Sequence, residues 1–242
     1  MNTPEEAKNL SDKAQNIYIL PAESPEGLVN ALALFYTLKE EGKNVNLLAE
    51  DLPEKLKFLT PPLSHISHPK DFVISFPNNK ADISQIRYEK DQNSTKVFLT
   101  VDKGIIKKDD ISLSFAEPEP DLIITLGIQN INKIKWPQLF NPALISRSPI
   151  LNIDDKKENE NFGKINIIQP DKSLSEAVFD IIKTDNIDKN TATCLLAGLI
   201  LASDNFKNKN TSSAMLEISA TLIKAGAQHQ EIVRNILADN AV

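Results

Sequence analysis

A short apolar run, a capped helix and a second short run follow one another near the start of the chain. That order restricts the fold more than any other feature. Asn16-Ile17-Tyr18-Ile19-Leu20 reads as a buried strand. Ser24 is a good helix N-cap, Pro25 suits the first turn, and Glu26 complements the positive end of the helix dipole. The predicted helix, Pro25 to Glu41, carries Leu28, Ala31, Leu32, Leu34, Phe35 and Leu38 on a broad apolar face, and Gly42 stops it. Asn44-Val45-Asn46-Leu47-Leu48 is the next strand. A strand–helix–strand unit implies a parallel pair with a right-handed crossover.

The rest of the chain extends this pattern. Phe72–Phe76 and Lys96–Val101 are strand-like, and Ile111–Phe115 alternates with period two, which leaves one face wet. Asp121–Leu126 is a wholly buried strand that ends at Gly127, and a short helical stretch should include Trp136. Ser148–Ile153 is another buried strand. The last third is helical, over Ser173–Lys183, from a cap at Asn190 or Thr191 to Ala202, from Thr211 or Ser212 to Gly226, and over Gln230–Leu237. Residues 1–14 read as a polar, solvated lead-in and 15–242 as a single domain. The fold class expected is α/β: an open, mostly parallel sheet with helices on both faces and a helical C-terminal third.

Composition narrows the function classes. The net charge is −6, so no global field attracts nucleic acid or anionic lipid, and extended nucleic-acid binding is not expected. With 7 glycines, the chain has neither a G-x-G-x-x-G nor a Walker A loop. The one cysteine, Cys194, sits in an apolar run as a small core residue and forms no intrachain disulfide, which points to a reducing cytoplasm. The first residues lack the apolar core of a secretory signal, and no run approaches the ~20 apolar residues of a membrane span.

In an open parallel sheet, ligands bind beyond the carboxyl ends of the strands, where the strand order reverses. Loops at Pro21–Glu26, Gly127–Asn130 and Asp154–Asn161 leave strand ends, and Ala202–Phe206 leaves the end of a buried helix. The third continues Asn152-Ile153-Asp154-Asp155-Lys156-Lys157-Glu158-Asn159-Glu160-Asn161-Phe162-Gly163. This stretch resembles the DHH phosphoesterase signature Asn-Ile-Asp-His-His-Pro-x-Asn-x-x-Phe-Gly. The other loops resemble the remaining motifs of that family, of the oligoribonuclease and 3′-phosphoadenosine 5′-phosphate phosphatase type. Ala22-Glu23-Ser24-Pro25-Glu26-Gly27-Leu28-Val29 matches His-x-x-Pro-Asp-Gly-Asp-Ala. Gly127 stands where an aspartate ends an apolar strand. Leu201-Ala202-Ser203-Asp204-Asn205-Phe206 matches Thr-Asp-Thr-Gly-Asn-Phe.

The resemblance implies metal-dependent phosphoester hydrolysis, in which two manganese-like ions bridge a water and hold phosphoryl oxygens. Its ligand positions are altered throughout. Ala22 and Asp155 replace histidines, Glu26, Leu28, Gly127 and Ala202 replace aspartates, and Lys156 replaces the last histidine. Glu26, Asp155 and Asp204 are the residual metal candidates, and Asp154 and Asp155 the residual catalytic ones. Loss of the cations would leave clustered carboxylates to repel, so their joint replacement relieves strain. The chain also contains no Gly-Gly pair of the kind found in the family's smaller C-terminal substrate-binding domain, and that domain is expected to be absent.

The expected reading is therefore a non-catalytic DHH-like domain, acting as a binding or structural protein, with no cofactor or at most a residual divalent manganese or magnesium. Its partner would be a protein or a nucleotide-like small ligand, and an oligomer is compatible with it. The alternative is an active phosphoesterase, cleaving short oligonucleotides or nucleoside bisphosphates through a rearranged single-metal site of Glu26, Asp154, Asp155 and Asp204. Other features read as structural. His65 and His68 lack neighbouring ligands for zinc, His229 is a surface residue, Ser24 has no histidine partner for a triad, and the lysines are interspersed with acids.

Overall fold

The structure is a computed structural model. It describes residues 2–49, 52–60, 71–116, 119–134, 145–182, 187–209 and 211–237. The elements run α1 (Pro4–Lys13), β1 (Asn16–Pro21), α2 (Pro25–Glu40), β2 (Asn44–Leu47), β3 (Asp71–Ser75), β4 (Ala81–Lys90), β5 (Thr95–Gly104), β6 (Ser112–Ala116), β7 (Leu122–Leu126), β8 (Ile150–Asp154), β9 (Ile165–Ile168), α3 (Leu174–Ile182), α4 (Lys189–Ala202), α5 (Ser213–Lys224) and α6 (His229–Ile232). The described chain divides into two compact units, residues 1–67 with 119–242, and residues 68–118. The sequence reading gave 15–242 as a single domain and named no second unit within it.

In the larger unit a five-stranded sheet runs β2-β1-β7-β8-β9 with every pairing parallel. Helices flank it. The α/β class and the helical last third match the sequence expectation. β1 leads to β2 on one side, whereas β7, β8 and β9 follow on the other, so the strand order reverses between β1 and β7. The main core joins Ile17, Ile19, Ile124, Leu151 and Ile153 of the sheet to apolar residues of all six helices. Tyr18, Ile123 and Ile150 form a second cluster with Leu48, Ile131, Ile145 and Phe162.

Two of the helices, α2 and α4, have long runs with no wet face. In α2 every residue from Gly27 to Phe35 is buried, and in α4 every residue from Thr191 to Ile200. Both therefore lie in the core rather than over it. Ser24 caps α2 as its sequence suggests, its Oγ accepting from the Gly27 amide at 3.0 Å. Asp188, rather than Asn190 or Thr191, caps α4, accepting from both of their amides.

The polar opening is a helix rather than a solvated lead-in. Thr3 and Glu6 form a reciprocal capping box around Pro4, and Ala7 and Ser11 are buried on one face. Two buried small residues in a charged stretch give little hydrophobic period, which is why the pattern reads as loop. Trp136, His65 and His68 lie outside the described residues.

The smaller unit is antiparallel, with β3 paired to β6 and β4 to β5. The period-two segment at Ile111–Phe115 is there as β6. β4 was not legible, because two register shifts near Ile83 interrupt its alternation.

Candidate functional site

Three of the four candidate loops converge where the strand order reverses. A cavity of about 820 Å³ opens at the carboxyl ends of β1 and β7, and Ala22, Glu23, Leu28, Gly127, Asn130 and Glu160 are among its lining residues. That volume is of the size that takes a small organic ligand. The turn after the buried helix, Ala202–Phe206, does not line it.

Backbone contacts bring the first two loops together. The Ala22 amide donates to the Leu126 carbonyl at 2.7 Å, and the Gly127 amide to the Ile153 carbonyl at 2.9 Å. Gly127 has φ +69°, and a Cβ there would lie 3.4 Å from that of Ala22. The two positions therefore face one another as neighbouring ligands would, but neither carries a donor atom. Gly27 is required by close approach, since a Cβ would sit 2.6 Å from the Ala22 carbonyl oxygen.

The third loop is built by a network of amides. Thr125, Asn152 and Asn166 stand in register on β7, β8 and β9. Thr125 Oγ1 donates to Asn152 Oδ1 at 3.1 Å, and Asn152 Nδ2 donates to Asn166 Oδ1 at 3.2 Å. Asn152 Nδ2 also donates to Asn159 Oδ1 at 2.8 Å. Asn159 Nδ2 in turn donates to Asp154 Oδ2 at 2.7 Å and to the Ile128 carbonyl at 2.8 Å. This ladder went unnoticed in the sequence. Its signal was a polar residue in the middle of each of three largely apolar strands.

Asp154 is fully buried and serves this loop. Its Oδ1 accepts from the Asp155 amide at 2.8 Å. Burial raises its pKa, and the Asn159 and Asp155 hydrogen bonds oppose that rise. Its carboxylate is tied to the loop as a turn residue's is.

Asp155, Lys156 and Glu26 form a charged group of their own, and the charged residues that line the cavity are instead Glu23, Lys133, Glu158 and Glu160. Lys156 Nζ lies 2.8 Å from Asp155 Oδ2. Burial raises the Glu26 pKa, the Asp155 charge adds to the rise, and the Lys156 charge opposes it. Burial alone would lower the Lys156 pKa, but its bond to Asp155 and the nearby acids raise it. Asp204 belongs to a separate turn, where residues 204–206 all have positive φ. The Ser203 hydroxyl closes that turn by accepting from the Phe206 amide at 2.9 Å, and Asn208 Nδ2 donates to the Ala202 carbonyl at 3.0 Å.

A pair of divalent cations needs several anionic or imidazole donors, and these residues do not fit it. Ala22, Leu28, Gly127 and Ala202 offer no side-chain oxygen or nitrogen. Asp155 already holds an ammonium group. Among the described residues no three His, Cys, Asp or Glu side chains converge as a ligand group, so Asp204 does not join Glu26 and Asp155 in one. His229 is exposed at the start of α6, and Cys194 is buried in α4 with its thiol pKa raised by burial.

The fold has a counterpart among solved structures. An exopolyphosphatase-related protein from Bacteroides fragilis is similar over 97% of this chain, at 17% identity and a TM-score of 0.65. The chain spans 60% of that protein's length. At such identity the likeness shows a shared fold alone. No protein-family model matches the chain, and no curated protein does. No described helix is long and apolar enough to cross a membrane.

Proposed function

We propose that this chain is a DHH phosphoesterase-like domain that binds a ligand and does not hydrolyse it. The observation that carries the reading is the Lys156–Asp155 ion pair at 2.8 Å, within the electrostatic reach of Glu26. In a two-metal phosphoesterase these positions hold cations, which lower the pKa of a bridging water. Here a lysine supplies the positive charge. An ammonium neutralises a carboxylate but gives no Lewis acid and no activated hydroxide. The fold shared with the exopolyphosphatase-related protein supports the phosphoesterase-like part of the proposal.

The cavity that remains suits a nucleotide-sized ligand held without metal. Gln129, Asn130 and Lys133 offer polar contacts and Leu20, Leu28 and Ile128 apolar ones, beside three acids, Glu23, Glu158 and Glu160. The test combines calorimetric titration with manganese and a hydrolysis assay on dinucleotides and 3′-phosphoadenosine 5′-phosphate. The expected result is no metal-dependent turnover. Robust manganese-dependent cleavage would falsify the proposal.

A further inference from the structure

The cavity beyond β1 and β7 has an apolar floor and an acidic mouth. Leu20, Leu28 and Ile128 line it and are buried. Glu23, Glu158 and Glu160 line it too and are exposed, which places them where it opens to solvent. Lys133 is the one basic residue among the described lining residues, so three carboxylates stand against one ammonium. Glu160 is held in place. Its amide donates to the Gln129 carbonyl at 3.0 Å, and its Oε1 accepts from Asn130 Nδ2 at 2.5 Å. Among the described residues none of these three acids forms an ion pair, whereas Asp155 already has Lys156.

The lining decides between ligands of this size. A phosphate held without metal needs a fork of cationic donors or free amides. No arginine is among the described lining residues, and the Gly27 amide in the first turn of α2 is taken by Ser24 Oγ at 3.0 Å. The acids at the mouth repel a phosphate as well. A nucleobase gains most from aromatic faces, and no described lining residue is aromatic. A metal ion is no better served, because no three acidic, His or Cys side chains among the described residues converge on one point. The carboxylates are spread around the opening, and the walls beneath them are aliphatic.

We propose that this cavity binds an aliphatic di- or polyamine, its ammonium groups at Glu23, Glu158 and Glu160 and its methylene chain over Leu20, Leu28 and Ile128. Each ammonium donates charge-assisted hydrogen bonds to a carboxylate. Each methylene that leaves water for the floor strengthens binding about fourfold. The inference rests on the reading of the chain as a ligand-binding domain and gives that ligand its chemistry: nucleotide-sized space, opposite charge.

Calorimetric titration of the full chain with 1,8-diaminooctane at low ionic strength tests this. It should show one saturable site per chain, weakened by added salt. 1,3-Diaminopropane, too short to cover the floor, should bind at least tenfold more weakly. Glu158→Gln combined with Glu160→Gln should weaken binding of the longer diamine at least tenfold, and Lys133→Gln should strengthen it about twofold. Glu40→Gln combined with Glu217→Gln removes as much charge outside the lining and should change nothing. That control separates the cavity from the general attraction of a chain with a net charge of −6. Circular dichroism confirms that each variant folds. No saturable diamine binding would overturn the inference, as would an equal loss in the control pair. Adenosine monophosphate that displaces the diamine and binds more tightly after Glu158→Gln and Glu160→Gln would overturn it too, yet leave the binding-domain reading standing. Manganese-dependent cleavage would overturn that reading itself.

Discussion

Asn159 Nδ2 lies 2.7 Å from Asp154 Oδ2 and 2.8 Å from the Ile128 carbonyl oxygen, so one buried amide ties the end of β8 to the loop after β7. The same side chain accepts through Oδ1 from Asn152 and from the Asn161 amide. Every hydrogen-bonding position of the amide is used. Replacing it leaves a buried carboxylate and a buried carbonyl without this donor. Asn159→Ala should therefore cost about 3 kcal/mol of stability, which is the upper range for unsatisfied buried groups. Urea denaturation reads this as a lower midpoint at unchanged slope. A shift within the error of the wild type would mean that the network does not hold the loop.

The acids of the site set a pH dependence with a definite sign. Glu26 is raised above its ordinary 4.5, by burial and by Asp155, and Asp154 is raised above 3.8, mainly by burial. In both cases the folded chain holds the proton more tightly than the unfolded chain. Stability from these groups is thus fullest at and below the ordinary values, and it falls as pH rises towards the raised folded ones. Glu26→Gln removes one such group. Its melting temperature should gain on the wild type between pH 4.5 and neutrality. A constant difference across that range would show that Glu26 does not titrate with folding.

If the proposed DHH-like reading holds, a metal site should be recoverable on this frame. Ala22 and Gly127 already face one another, and the Cβ of an aspartate at 127 would meet only ordinary contacts, at 3.4 and 3.5 Å. Aspartate also tolerates positive φ better than most residues. The combined variant Ala22→His, Leu28→Asp, Gly127→Asp and Lys156→His joins four new donors to Glu26 and Asp155. Calorimetry should show manganese binding at least tenfold tighter than that of the wild type. No gain in a folded variant would argue that the loops no longer hold the positions of a metal centre.

Much of this architecture was legible because burial writes itself into strands and helices. Ile17–Leu20, Leu122–Leu126 and Ile150–Ile153 are apolar on both faces, and a parallel sheet is the structure that hides both. The loops beyond them could be placed for the same reason. What stayed hidden depends on few residues or on long range. Ala7 and Ser11 are the buried residues of α1, with Leu10 packed beside them. The bulge near Ile83 concealed β4, and the Thr125–Asn152–Asn166 ladder exists only once three strands are aligned. The Lys156–Asp155 pair joins adjacent residues, yet its meaning rests on Glu26, which precedes Asp155 by 129 positions.

Helix packing beneath the site offers a sharper test of the core. Gly198 of α4 lies where a Cβ would approach Ser175 Oγ of α3 to 2.1 Å, Asn30 Nδ2 of α2 to 3.2 Å and Val29 Cγ2 to 3.2 Å. Three helices therefore meet at one missing methyl group. Among the described residues, the buried Ser175 Oγ has no hydrogen-bond partner. Gly198→Ala should cost about 1–3 kcal/mol, as overpacking of a tight core does. Ser175→Ala alone should be neutral or mildly stabilising, because it removes an unpaired hydroxyl. The two changes touch the same few cubic ångströms, so they should not add. The double variant should recover most of the loss, with a coupling of about 1 kcal/mol or more in a double-mutant cycle. Additive costs would place the strain of Gly198→Ala on α2, at Asn30 and Val29, rather than on the Ser175 hydroxyl.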